Sequence, residues 1–294
     1  MVGLALPGGG VTAAVRTGPR ARRVSVMRRT ALITGLLGLA AMLTGCGLTQ
    51  HNEDTVSYDV TEAVAALHVE NDSGDVEVVE SDRRGIHVSE RLSWNKDKPK
   101  TSHQVRGDTL ELKYTCPTTW GLGAAGVSCR VDYTIEVPKG LRVQASADSG
   151  DLTLKGLSGE LKATTDSGGI QADDLTGERV VVQTDSGDLT LNGLSGTLDA
   201  KSDSGAIEAG GLTGKRVVTQ TSSGSVTLTF TAQPDQVTTA SDSGSTVVHV
   251  PQGPYHIVAT TDSGSKEINA TADASAPRSI KLSSDSGDIE VVTP

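Results

Sequence analysis

The sequence predicts an all-β protein, a parallel β-solenoid (β-helix) with about 18–20 residues per coil and a less regular N-terminal cap. Three observations carry this expectation. The triplet Asp-Ser-Gly recurs with its glycine at Gly150, Gly168, Gly187, Gly205, Gly224, Gly244, Gly264 and Gly287, the fifth copy reading Ser222-Ser223-Gly224. Apolar residues alternate with period two on both sides of the triplet, the mark of strands with one buried face. Aromatics make up only 2% of the chain against 34 Gly, so the interior must be thin and built of small aliphatic side chains.

The chain opens on an address. Residues 1–26 read as an extension upstream of a natural start at Met27. Residues 27–45 read as a lipoprotein signal peptide: Met27-Arg28-Arg29, then an apolar run from Ala31 to Leu43. That run is too short for a permanent membrane span. Leu43-Thr44-Gly45-Cys46 resembles the bacterial lipobox, which implies acylation of Cys46 and attachment to the outer face of the membrane. Arg28-Arg29 leaves a twin-Arg export route open. Residues 46–57 are expected to be a tether.

Residues 58–147 are expected to form opening coils and a cap. Candidate strands are Ala65–Val69, Val76–Glu80, Ile86–Arg91, Thr109–Tyr114, Val131–Val137 and Leu141–Ala145, with a polar loop from Ser93 to Lys100. Cys116 and Cys129 form a short-spaced pair in an exported chain and are expected to be disulfide-bonded. Neither has a second Cys or a His at ligand spacing, so a metal site has little support. Trp120, between them, is expected to cover the open end of the core or to serve as an exposed contact.

Residues 148–294 are expected to be the regular repeat. Two residues past the triplet glycine stand Leu152, Ile170, Leu189, Ile207, Val226, Thr246, Lys266 and Ile289. Seven before it stand Val143, Leu161, Val180, Leu198, Val217, Val237, Ile257 and Ile280. One strand therefore approaches the triplet and another leaves it. Between them lie turns whose Leu157, Leu175, Leu194 and Leu212 point inward. Large and small interior residues alternate across successive coils, as a core of fixed width requires. A unit of this kind closes no core alone, so equivalent strands should pair from coil to coil at about 4.8 Å. An antiparallel meander would give no such in-register columns.

The turn motif is Asp148-Ser149-Gly150, Asp166-Ser167-Gly168, Asp185-Ser186-Gly187 and Asp203-Ser204-Gly205. Glycine there should supply positive φ at a corner, with Asp and Ser bonding nearby backbone. The alternative is that the stacked carboxylates hold a hard cation such as Ca²⁺. The dense Gly-Gly-x-Gly-x-Asp pattern of Ca²⁺-binding nonapeptide solenoids does not occur here.

The stretches Leu67 to Val76, Ile135 to Gly140 and Ser146 to Gly214 resemble the bacterial β-strand-repeat surface proteins of unassigned function labelled the "putative adhesin" family. The resemblance implies an envelope location and a solenoid. It carries no catalytic residues and no cofactor.

Charge narrows the function. The chain holds 26 Lys+Arg against 36 Asp+Glu. Six of those Arg and none of the acids lie in residues 1–46, so the remainder has a formal charge of −16 (20 against 36). That argues against nucleic acid as a partner and against polybasic attachment to anionic lipid. The leading expectation is a non-enzymatic, lipid-anchored, cell-surface module for binding, adhesion, scaffolding or sensing. Its partners would be the membrane, through Cys46, and an envelope protein or glycan. Outward columns such as Thr153, Gln171, Thr190, Glu208 and Thr227 would form its side wall. The alternative is a polysaccharide lyase or hydrolase on a β-helix. No His-Glu-x-x-His or Gly-x-Ser-x-Gly motif and no phosphate-cradling loop is present to support it. A Thr ladder for ice is interrupted by Gln171 and Glu208.

Overall fold

The computed structural model describes residues 51–117 and 127–293, and these fold as strands alone. The regular part is a stack of eight coils, each with a longer strand leading into the triplet and a shorter one leaving it. In chain order these are β8 (Arg142–Ser149) with β9 (Leu152–Lys155), β10 (Leu161–Ser167) with β11 (Ile170–Asp173), and β12 (Arg179–Ser186) with β13 (Leu189–Asn192). Next come β14 (Thr197–Ser204) with β15 (Ile207–Leu212), β16 (Arg216–Ser223) with β17 (Val226–Phe230), and β18 (Gln236–Ser243) with β19 (Thr246–His249). The last two are β20 (His256–Ser263) with β21 (Lys266–Asn269) and β22 (Ser279–Ser286) with β23 (Ile289–Val292).

Like strands stack on like, in parallel. Ile170 pairs with Leu152 on one side and Leu189 on the other, and Leu161 pairs with Val143 and Val180. The short strands belong to a 12-stranded sheet and the long ones to an 11-stranded sheet. Their inner faces meet in one aliphatic core that includes Leu154, Ala163, Val182 and Leu191, with Leu157, Leu175, Leu194 and Leu212 filling the turn side. The solenoid expectation therefore holds, down to the register of its columns.

The cap is built differently. Its strands are β1 (Asn52–Val60), β2 (Ala66–Ser73), β3 (Val76–Ser81), β4 (Ile86–Trp94), β5 (Lys100–Arg106), β6 (Thr109–Thr115) and β7 (Cys129–Pro138). The strands β2 and β3 form a true first coil, which stacks directly on β8 and β9. Beyond it the 12-stranded sheet ends β3-β7-β4-β1, with β4 antiparallel to both β7 and β1. The 11-stranded sheet ends β2-β6-β5, with β5 antiparallel to β6.

Two expectations are corrected here. Residues 52–57, expected to be tether, are edge strand, and β5 continues from the end of the loop expected over Ser93 to Lys100. Both strands are exposed along most of their length, so they carry no alternating apolar signature. Tyr58 of β1 stacks on His103 of β5 with ring centroids 4.3 Å apart, closing the core at this end.

The far end departs from chain order. The coil β22/β23 does not lie outermost. It is inserted between β18/β19 and β20/β21, so Val237 pairs with Ile280, and Ile280 with Ile257. The outermost coil is β20/β21. Lys266, aligned in the sequence with inward residues, is exposed there, and Ile257, Ala259 and Ile268 are only half-buried. Lys266 and Glu267 thus sit on an open sheet edge, where charge discourages further pairing.

Candidate functional site

The repeated triplet was the strongest sequence candidate, and the structure shows it to be a stacking device. Ser149, Ser167, Ser186 and Ser204 align in register at the end of the long strands. Asp148, Asp166, Asp185 and Asp203 project into solvent as a ridge. Asp203 lies 3.6 Å from Lys201, whereas the other three make no side-chain hydrogen bond or ion pair among the described residues. The described residues contain no group of three or more His, Cys, Asp or Glu side chains placed to hold a metal ion.

The reason for glycine also differs from the expectation. Gly168, Gly187 and Gly205 do not have positive φ, although Gly150 does at 154°. A Cβ at any of the four would overlap the carbonyl oxygen of the equivalent glycine one coil away: Gly74 for Gly150, Gly150 for Gly168, Gly168 for Gly187 and Gly187 for Gly205. Close backbone approach, repeated along the column, is what excludes a side chain.

Two further ladders hold the corner. Three residues before Gly168 and Gly187, a buried hydroxyl donates to the neighbouring glycine carbonyl: Thr165 Oγ1 to Gly150 at 3.4 Å and Thr184 Oγ1 to Gly168 at 3.1 Å. After the glycine, Asp151 Oδ1 accepts from the Gly169 N–H and Asp188 Oδ1 from the Ala206 N–H, both at 2.8 Å. The sequence shows these Asp side by side with the triplet, but only the coil-to-coil register reveals their partners. At the start of the ridge, burial and the nearby Asp148 and Glu70 hold the Asp72 carboxyl above its ordinary value.

The surface best formed for binding is the outer face of the 12-stranded sheet. Thr153, Gln171, Thr190, Glu208 and Thr227 lie in one cross-strand row, as the repeat alignment implies. The row does not stop at the cap. Thr153 pairs with Glu77, Glu77 with Thr134, Thr134 with Ser89 and Ser89 with Ser57. In the other direction it runs through Val247 and Glu290 to Glu267. Hydroxyl, amide and carboxylate groups therefore run in a single line from Ser57 to Thr227, and Val247 interrupts the line before Glu290 and Glu267.

Where cap and column meet, this face dips into a hollow of about 540 Å³ lined by Thr55, Ser89, Arg91, Asp132, Thr134, Thr153 and Gln171, among others. Its charged edge is fixed by a network. Arg91 donates to Asp132 Oδ2 from Nε at 3.1 Å and from Nη2 at 2.8 Å. Arg130 donates from Nη2 to Asp132 Oδ1 at 2.6 Å and to Asp75 Oδ2 at 3.2 Å. Burial pushes the Asp132 carboxyl up, but the bonds from Arg130, Arg91 and the Asp75 N–H outweigh it, so its pKa lies below the ordinary value. Beneath, Tyr58 donates to the buried Glu90 at 2.6 Å, and burial together with Glu90 drives the Tyr58 hydroxyl far above its usual range.

Cys116 and Cys129 are joined as a disulfide that ties the end of β6 to the start of β7. Cys46, the leader and Trp120 lie outside the described residues.

Against known proteins, no curated protein matches the sequence. Among solved structures, a crystal structure of a "putative adhesin" from Bacteroides fragilis is similar over 81% of this chain and 97% of its own, with 16% identity and a TM-score of 0.50. A "putative adhesin" from Parabacteroides merdae matches 82% of this chain and 96% of its own at 13% identity and a TM-score of 0.39. A "putative lipid binding protein" from Parabacteroides distasonis matches 82% and 97% at 17% identity and a TM-score of 0.39. The Bacteroides fragilis likeness speaks to the fold alone. Residues 64–292, nearly the whole described chain, match the Toastrack DUF4097 family, and the chain belongs to that family.

Proposed function

We propose that the protein is a non-enzymatic module, held through acylated Cys46 on the extracytoplasmic face of the bacterial membrane, that binds another envelope component. The observation that carries this reading is the polar row across the 12-stranded sheet, continuous from Ser57 through Glu208 to Thr227. A flat, regular face of hydroxyl, amide and carboxylate groups suits an extended ligand that makes repeated hydrogen bonds. The Cys116–Cys129 disulfide fits an oxidising compartment. The names of the fold neighbours point to adhesion, and the repeat supplies a stiff support to carry the face.

Cross-linking in intact cells, followed by identification of what is captured, tests the reading. A reproducible protein or glycan, lost when Thr190→Arg and Glu208→Lys disrupt the row, is the expected result. Turnover of a wall or capsule polymer by the purified protein would overturn it. Cys46→Ala should move the protein from the membrane fraction to the soluble fraction, and unchanged fractionation would remove the lipid anchor.

A further inference from the structure

The outer face of the 11-stranded sheet separates its charge, with cations near the start of the long strands and the Asp ridge at their end. At the start of the long strands one cross-strand row reads Arg142, Glu160, Arg179, Thr197, Arg216, Gln236. The register places arginine on every second coil, about 9.6 Å apart at 4.8 Å per coil. Between Arg179 and Arg216 lies a hollow of about 390 Å³ floored by Thr197 and Leu198 and bordered by Asp199 and Val218. Among the described residues, Lys162, Arg179, Arg216 and Lys281 of this face make no ion pair or side-chain hydrogen bond. In the cap, by contrast, Arg83, Arg91, Arg106, Arg130 and Lys139 are all ion-paired. Several cap cations thus hold that end together, whereas the column leaves these four uncommitted.

The geometry points to a binding rail for a linear acidic polysaccharide along this face, with Arg179 and Arg216 gripping successive carboxylates. The inference rests on the reading of the column as an envelope-binding module and names a ligand class for a second face of it. A guanidinium presents a planar fork that matches a carboxylate. The two-coil spacing is on the scale of one disaccharide, so a polymer with one acid per disaccharide meets each arginine in turn. Thr197 and Asp199 between them suit the sugar hydroxyls, which donate to a carboxylate where a pure polyphosphate could not.

A flat anionic membrane fits the face less well. The long strands begin at the arginine row and end at the ridge of Asp148, Asp166, Asp185 and Asp203, six residues and about 20 Å further on. A bilayer laid across the sheet would meet both rows, whereas a single thread follows the rail and avoids the ridge.

The test uses the full-length protein and hyaluronate, which has one carboxylate per disaccharide, with neutral dextran as control. Hyaluronate should be retained at low ionic strength and released in 1 M salt, where the screening length falls to about 3 Å. Arg179→Gln with Arg216→Gln should weaken retention about tenfold per arginine without lowering the melting temperature. Asn192→Ala, on the opposite sheet, should leave it unchanged. Equal retention of dextran, retention by the double variant at the wild-type level, or binding of phosphatidylglycerol vesicles in place of hyaluronate would each overturn the rail. If the rail fails while cross-linking through the Thr190 and Glu208 row persists in cells, the binding-module reading stands. Loss of both would remove that reading as well.

Discussion

The column and the cap solve one problem by different chemistry. In the column every coil but the outermost has a like neighbour on each side, so backbone pairing, glycine contact and short Thr and Asp ladders suffice. Phe230 and Tyr255 are its few aromatics and lie toward its far end. The cap has unlike neighbours and two edges to close. It brings in Tyr58, Trp94, Tyr114 and Tyr133, a disulfide, antiparallel strands and a web of arginine–carboxylate pairs. Tyr114 bridges layers by donating to the Ser73 carbonyl at 2.7 Å, and burial pushes its hydroxyl up to about 12. Repetition makes an interior inexpensive in sequence variety, but terminating it demands side chains that the repeat never uses.

This contrast can be broken at its strongest point. Gly187→Ala should cost about 3 kcal/mol by thermal or chemical unfolding, because the new methyl has no room beside the Gly168 carbonyl. Gly107→Ala in the cap, where φ is 64° and nothing lies near the new atom, should cost only about 1–2 kcal/mol. Equal costs would mean that conformation, not contact, selects glycine in the column. Replacing Cys116 and Cys129 together by Ser should remove about 3 kcal/mol in the chain-entropy account. Native-state hydrogen exchange should locate that loss in β6 and β7 and leave β12 to β16 protected.

Smaller changes sharpen the comparison. Ala163→Leu should overpack the column by about 1–3 kcal/mol, and wild-type melting would show that the inner faces do not meet at this position. In the cap, Asp132→Ala should cost about 2 kcal/mol at neutral pH. Because the Asp132 pKa is lowered on folding, its contribution is complete above the ordinary value of 3.8 and fades as pH falls through the depressed one. The variant's stability should therefore change less than that of the wild type on acidification below about pH 4. Asp188→Ala, which removes one rung of a ladder, should cost about 0.5–1 kcal/mol. A loss as large as that at Gly187 would make the Asp ladder, not the glycine contact, the main support.

The columns were legible because period-two alternation and a fixed step are both visible in one dimension. Leu152, Ile170 and Leu189 stack as the alignment requires. The edge strands β1 and β5 were not, since exposure on both sides leaves no alternation to read. Nor was the order of the last two coils. Residues 256–269 and 279–292 both carry the triplet with its two flanking strands, with little but Lys266, where the other segment has Ile289, to distinguish the edge coil from the inner one. The wall of Thr153, Gln171 and Thr190 was visible as a column. Its extension into Glu77, Thr134 and Ser89 depends on long-range pairing that no local signal encodes.

The inserted coil constrains the order of assembly. A simple stack can grow rung by rung from its first coil. Here residues 256–269 gain their native neighbour only from residues 279–292, which follow them in the chain. The last two coils of the column are completed only by this later sequence. The molecule therefore cannot finish folding from one end to the other, and its far end is set last, by a segment that arrives out of turn.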